Sequence, residues 1–127
     1  MKNIGLQVDY PRDLIIIQCD YEKMVIALLN ILINAVEAIE HNNGRISISA
    51  RKEKDLCMIE ISDNGTGISD EKLPRLFEPY YTSKRNGIGL GLAATLNIIQ
   101  AHNGVIEVNS EVNKQTVFTI TLPLKPQ

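Results

Sequence analysis

The apolar positions of this chain change period several times, and each change outlines an element. Val8 to Pro11 and Leu14 to Gln18 read as two short strands. The β-branched neighbours Ile15, Ile16 and Ile17 favour a strand buried on both faces. Asp20 then looks like a helix N-cap, with Glu22 in the first turn, where the macrodipole favours a carboxylate. Val25, Leu28, Leu29, Leu32, Val36 and Ile39 recur at three- and four-residue spacing and predict a helix to about His41 with one core stripe. Asn42-Asn43-Gly44 stops it, because these residues suit left-handed backbone.

The period then shortens to two. Ile46 and Ile48 alternate with Ser47 and Ser49, which predicts a strand over about 45–52, with a partner over about 56–62 across a Lys54-Asp55 turn. Asp63 to Asn86 is polar and irregular, with room for a brief helix from about Asp70 to Phe77. A second long helix is expected from near Gly89 to near His102, its core stripe being Leu92, Leu96 and Ile99, and Asn103-Gly104 ends it. Strands over about 105–109 and 116–122 close the chain before Pro123 and Pro126. The order β-β-α-β-β-loop-α-β-β pairs strands directly, so the hairpins are antiparallel and the helices share one sheet face. That is an α+β two-layer sandwich rather than an alternating βαβ domain.

A length of 127 residues suits one domain spanning residues 1–127. The net charge of -2 gives no basic field for nucleic acid, and the lack of Trp argues against a stacking platform for single strands. Cys19 and Cys57 both border or enter apolar runs, which predicts two buried, reduced thiols. No apolar stretch reaches the roughly 20 residues a bilayer requires, and the N-terminus carries no apolar signal segment. The expectation is a soluble, cytoplasmic domain that makes no membrane contact itself.

Three clusters carry chemistry. Asn30, Asn34 and Glu37 share one helix face, which the predicted stripe places opposite the core. Asparagine is a mediocre helix former, and an amide oxygen there could ligate Mg²⁺. The plain alternative is a solvated face. Asp63-Asn64-Gly65-Thr66-Gly67 follows a strand, where an acid could accept a hydrogen bond from a base amine and glycines allow close approach. The plain alternative is a turn. Gly87-Ile88-Gly89-Leu90-Gly91-Leu92 opens a helix, whose N–H groups and dipole suit phosphates. It is neither a dinucleotide fingerprint nor a Walker P-loop. Between the glycine clusters, Lys72, Arg75, Lys84 and Arg85 could offset phosphate charge, or could simply decorate an exposed loop.

Together these clusters resemble the ATP-binding domain of sensor histidine kinases, within the superfamily of DNA gyrase, Hsp90 and MutL. Leu29 to Ile39 resembles the asparagine box, Asp63 to Gly67 the first glycine box and Gly87 to Leu92 the second. Phe77-Glu78-Pro79-Tyr80-Tyr81-Thr82-Ser83-Lys84 resembles the phenylalanine box of nitrogen-regulation and sporulation-type kinases. The resemblance implies a Bergerat-type ATP-binding fold with a flexible lid over about 65–87. It implies Asn34 as the Mg²⁺ ligand, Asn30 beside it, and Lys84 at the γ-phosphate. Asp63 would meet the adenine amine, flanked by Gly65, Gly67 and Ile68. Gly87, Gly89, Leu90, Gly91 and Leu92 would line the phosphates, and Thr116 would reach the nucleotide. One departure is that Lys114-Gln115 precede Thr116, where the family usually has glycine.

The same resemblance implies Mg-ATP as the cofactor and γ-phosphoryl transfer to a histidine. Gyrase-like relatives place a water-activating glutamate where this chain has Asn30, an amide that cannot serve as a base. The partner is then a dimerisation and histidine phosphotransfer domain, with a response regulator receiver domain downstream. His41 and His102 lie at helix ends and read as surface or capping residues, so no phosphoacceptor is expected here and the chain reads as an excised catalytic domain. The rival readings are an anti-sigma-type serine kinase and a nucleotide-sensing binding module on the same fold.

Overall fold

The computed structural model describes residues 3–79 and 91–124. It has strands β1 (Ile4–Asp9), β2 (Gly44–Glu53), β3 (Leu56–Asp63), β4 (Val105–Glu111) and β5 (Gln115–Pro123), with helices α1 (Tyr21–Ala38) and α2 (Gly91–Ala101). One five-stranded sheet has the order β1-β2-β3-β5-β4. Both helices cover one face, giving the expected α+β two-layer sandwich. The face beneath them carries Ile46, Ile61, Phe118, Ile120 and Leu122, all buried. The opposite face carries residues such as Ser47, Glu60 and Thr119, which alternate with the buried set along the same strands.

Two expectations at the N-terminus need correction. The first strand is Ile4–Asp9 rather than Val8–Pro11, and it pairs parallel with β2. Only a crossover can join parallel neighbours, and α1 supplies it. The second strand, Leu14–Gln18, is absent. Its residues join no ladder. Ile15 and Ile17 turn inward while Leu14 and Ile16 are exposed, so the β-branched run lies on the core edge instead of inside a sheet. Beneath it lies a cavity of about 440 Å³ lined by Leu14, Ile17, Ala50, Cys57 and Ile59. Cys57 is buried as expected, and burial raises its thiol pKa. Cys19 is exposed, contrary to expectation, because the segment it closes is a surface strap.

Asp20 caps α1, its carboxylate accepting the Lys23 N–H at 3.1 Å. The helix stops at Ala38, before the predicted His41, because Ile39 turns extended and buries completely. The buried stripe is Met24, Ala27, Ile31 and Ala35, rotated from the predicted one. Val25, Leu29 and Val36 are exposed; Leu28 and Leu32 are half-buried. On α2 the buried residues are Ala93, Thr95 and Ile99, with Leu92 and Leu96 half-buried. Small residues win these positions because the two helices pack closely: the Thr95 hydroxyl donates to Gly91 O at 2.9 Å and lies 3.5 Å from Ala27 O on α1. The expected helix over 70–77 contracts to a 3₁₀ turn at Leu73–Arg75.

Candidate functional site

The site begins on α1. Asn30 and Asn34 are half-buried and lie beside the core stripe, not opposite it. The rotation of the stripe turns this flank toward α2. There the Asn30 side-chain amide donates to Gly91 O at 3.0 Å. A Cβ on Gly91 would meet Asn30 Cγ at 3.6 Å, so the first residue of α2 rests against this asparagine. Glu37 is exposed one turn further along.

The C-terminal end of α1 meets the loop after β3. Thr66 N donates to Ala38 O at 3.0 Å. From Asn30 to Ala38 the helix axis advances about 12 Å. Along that length the wall runs from the α2 N-terminus, past Asn34, to the Asp63 loop.

Asp63 ends β3 at 3% exposure, and its Oδ1 accepts the Gly65 N–H at 2.9 Å. A buried carboxylate held by a backbone donor is a fixed acceptor. Thr116 on β5 stands directly opposite it and is also buried. The loop beyond is clamped on two sides. A Cβ on Gly65 would lie 2.5 Å from Ala38 O, and one on Gly67 would lie 2.4 Å from Glu111 O. Gly67 also has φ +75°, in the left-handed region. Contact with the protein's own backbone therefore requires both glycines. Ile68 N donates to Ser110 Oγ at 2.7 Å.

The β4–β5 turn is tied to the Asp63 loop. Asn113 takes φ 63°, in the left-handed region that asparagine tolerates, and its N–H donates to Thr66 O at 2.7 Å. Of the remaining predicted residues, Leu92 turns its side chain toward the core cluster. Lys84, Gly87, Gly89 and Leu90 lie outside the described residues, as does most of the phenylalanine-box segment.

Sequence reading missed two polar staples. Asn64 accepts the Arg45 N–H at 2.7 Å and donates to Asn43 O at 2.9 Å, fixing the loop to β2. Ser110 contacts Ile68, Gln115 and Thr116. Its only sequence signal is a polar residue on the inward register of β4. His41 is exposed, as a surface residue, and His102 fits the capping expectation, its Nδ1 donating to Ile98 O in the last turn of α2 at 2.7 Å. His41 Nε2 donates to Asn64 O at 2.9 Å, and His102 Nε2 accepts the Asp20 N–H at 3.0 Å.

The family of histidine kinase-, DNA gyrase B- and HSP90-like ATPases matches residues 19–126. The chain belongs to that family. As an ATPase domain of this family, it is similar to sporulation kinase B of Bacillus subtilis, at 42% identity over 122 residues, 96% of this chain and 28% of that protein. It is 43% identical to the sensor histidine kinase ZraS of Salmonella typhimurium over 109 residues, 85% of this chain and 23% of that protein. The solved catalytic domain of histidine kinase ThkA superposes with a TM-score of 0.84 at 27% identity, covering 96% of this chain and 80% of that one. The chain thus spans less than a third of the length of those curated relatives. The ATP-binding fold expected from the motifs is the fold observed. Among the described residues, no helix is long and apolar enough to cross a membrane.

Proposed function

We propose that this domain holds Mg-ATP along the flank of α1 and donates the γ-phosphoryl group to a histidine on a separate dimerisation and phosphotransfer domain. The observation that carries the reading is the Asn30–Gly91 hydrogen bond. It joins the asparagine face of α1 to the N-terminus of α2, which suits phosphate. Asp63 and Thr116, at the far end of the wall, would receive the adenine ring. The described residues contain no cluster of three His, Cys, Asp or Glu for a metal. Asn34 offers one hard amide oxygen, so the residues fit an ion whose other ligands are phosphate oxygens and water. When bound, Mg²⁺ would neutralise charge on the transferring phosphoryl group.

This chain's own residues then do three things. Asn30 and Asn34 would orient the phosphate end. Asp63 fixes the base by accepting a hydrogen bond. Asn30, being an amide, activates no water, which preserves the γ-phosphoryl for the acceptor. Lys84, Gly87, Gly89 and Leu90 are proposed to complete the phosphate contacts, and residues about 65–87 to form the lid. A receiver domain would accept the phosphoryl group from the histidine, in the cytoplasm.

Calorimetry tests this directly. The domain should bind ATP with a Mg²⁺-dependent component, and Asn34→Ala should remove that component while the melting temperature stays close to wild type. Binding of equal strength in the variant would overturn the assignment. With radiolabelled ATP and a phosphoacceptor domain, the product should be acid-labile; an acid-stable product would point to a serine acceptor.

A further inference from the structure

We infer that the cavity beneath the strap is a second small-molecule site, one that takes a compact apolar amine. It is separate from the nucleotide site and does not depend on that reading. Its floor is Ala50 on β2 with Cys57 and Ile59 on β3, and Leu14 and Ile17 of the strap close it from above. Ala50 stands opposite Ile59, two residues along from the Ile48–Ile61 pair, so the floor continues the core face of the sheet. Cys57 lies six residues before Asp63 on the same strand, about 20 Å away along β3.

The cavity measures about 440 Å³. That falls inside the range of about 300–1,000 Å³ that small-molecule sites occupy. Protein interiors are otherwise close-packed, with few voids larger than a water molecule. Water is a poor occupant, because it needs two or more polar partners and this floor offers aliphatic groups and one thiol. An apolar body fits it better.

The strap is built to yield. Among the described residues, the backbone of residues 10–19 makes no hydrogen bond to the rest of the domain. It is held by β1 at one end, by the Asp20 N–H on His102 Nε2 at the other, and by Ile17 against the core cluster. A segment without backbone bonds opens at low cost, so a ligand can enter without disturbing the sheet.

The mouth sets the polarity of the ligand. Tyr10 and Asp13 line the cavity from exposed positions. Asp13 is the one charged residue among the described lining; Arg12 and Lys52, the nearest cations in sequence, do not line it. An ammonium group at the mouth meets a carboxylate and a hydroxyl that can both accept its protons. A carboxylate there meets like charge.

The test is calorimetric titration with three probes that share one body: 2-phenylethylamine, 2-phenylethanol and 3-phenylpropanoate. Wild type should bind the amine at about 1 mM or tighter, the scale for a ligand of this size. The alcohol should bind about threefold more weakly and the carboxylate about tenfold more weakly than the amine, the scale of exposed charge pairs. Asp13→Asn should bring amine and alcohol to equal affinity. Ala50→Leu, which fills the floor, should abolish binding of both. Saturating Mg-ATP should leave the amine affinity unchanged. The inference is overturned if wild type does not bind the amine, if the carboxylate binds as tightly, or if Mg-ATP displaces the amine. Undiminished amine binding by a folded Ala50→Leu protein also overturns it. Should Ala50→Leu fail to fold, Asp13→Asn at its exposed position carries the decision, and an unchanged amine-to-alcohol ratio there counts against the site.

Discussion

At the residue scale, Asp63 shows how a side chain can be buried without being structural filler. Its Oδ1 is held by Gly65 N–H, and Thr116 faces it across the ladder. Asp63→Asn keeps the shape but exchanges an acceptor for a donor. ATP affinity should fall by at least tenfold, while urea unfolding shifts by only about 1 kcal/mol, the range of a single neutral hydrogen bond. Parallel losses of binding and stability would mark a turn residue. The cysteines give a second test. Cys57 is buried and its thiol pKa is raised by that burial, whereas Cys19 is exposed. Because the thiolate is the reactive form, a thiol reagent at pH 8 should modify one cysteine quickly and the other only on unfolding. The raised pKa also has a sign for stability. Its contribution is complete below the ordinary thiol range and is lost as pH rises through the folded value, since the unfolded chain then gives up the proton more readily. Two equally fast cysteines would contradict the packing of β3.

At the element scale, α1 is the instructive case. Its sequence is apolar nearly all round, so a stripe of branched residues could be drawn on more than one face. The observed core face is Met24, Ala27, Ile31 and Ala35. Ala27 is small where α2 approaches, the Thr95 hydroxyl lying 3.5 Å from its carbonyl. Ile31 is fully buried and Leu29 is 49% exposed. Ile31→Ala should then cost about 2–5 kcal/mol in chemical denaturation, the range for a core truncation. Leu29→Ala should cost well under half of that. Similar costs would restore the predicted stripe. The same rotation decides where Asn30 and Asn34 point, so the packing of α1 and the placing of the site are one event.

At the scale of the whole molecule, the sheet supplies Asp63 and Thr116, directly opposite each other on β3 and β5, and α1 supplies the asparagine flank. A ligand held between two layers stabilises the folded state by mass action. Mg-ATP at a hundred times its dissociation constant contributes about 2.7 kcal/mol, which for a domain of this size raises Tm by roughly 10 °C. Mg-ATP that leaves Tm unmoved at that saturation would contradict a site between the layers.

The sequence by itself determined the two long helices and the hairpins of the sheet after residue 20 and carries the asparagine and glycine motifs, because period, turn residues and glycine spacing are local properties. Asp63, Gly65 and Gly67 were legible for that reason. The tertiary structure decided the rest. It showed that β1 pairs parallel with β2, that Leu14–Gln18 is a strap, and which face of α1 is buried. Each of these depends on what lies across the core rather than along the chain. Ser110 belongs to the same group: its role comes from three partners, one of them the distant Ile68, which only the folded sheet brings to a single hydroxyl.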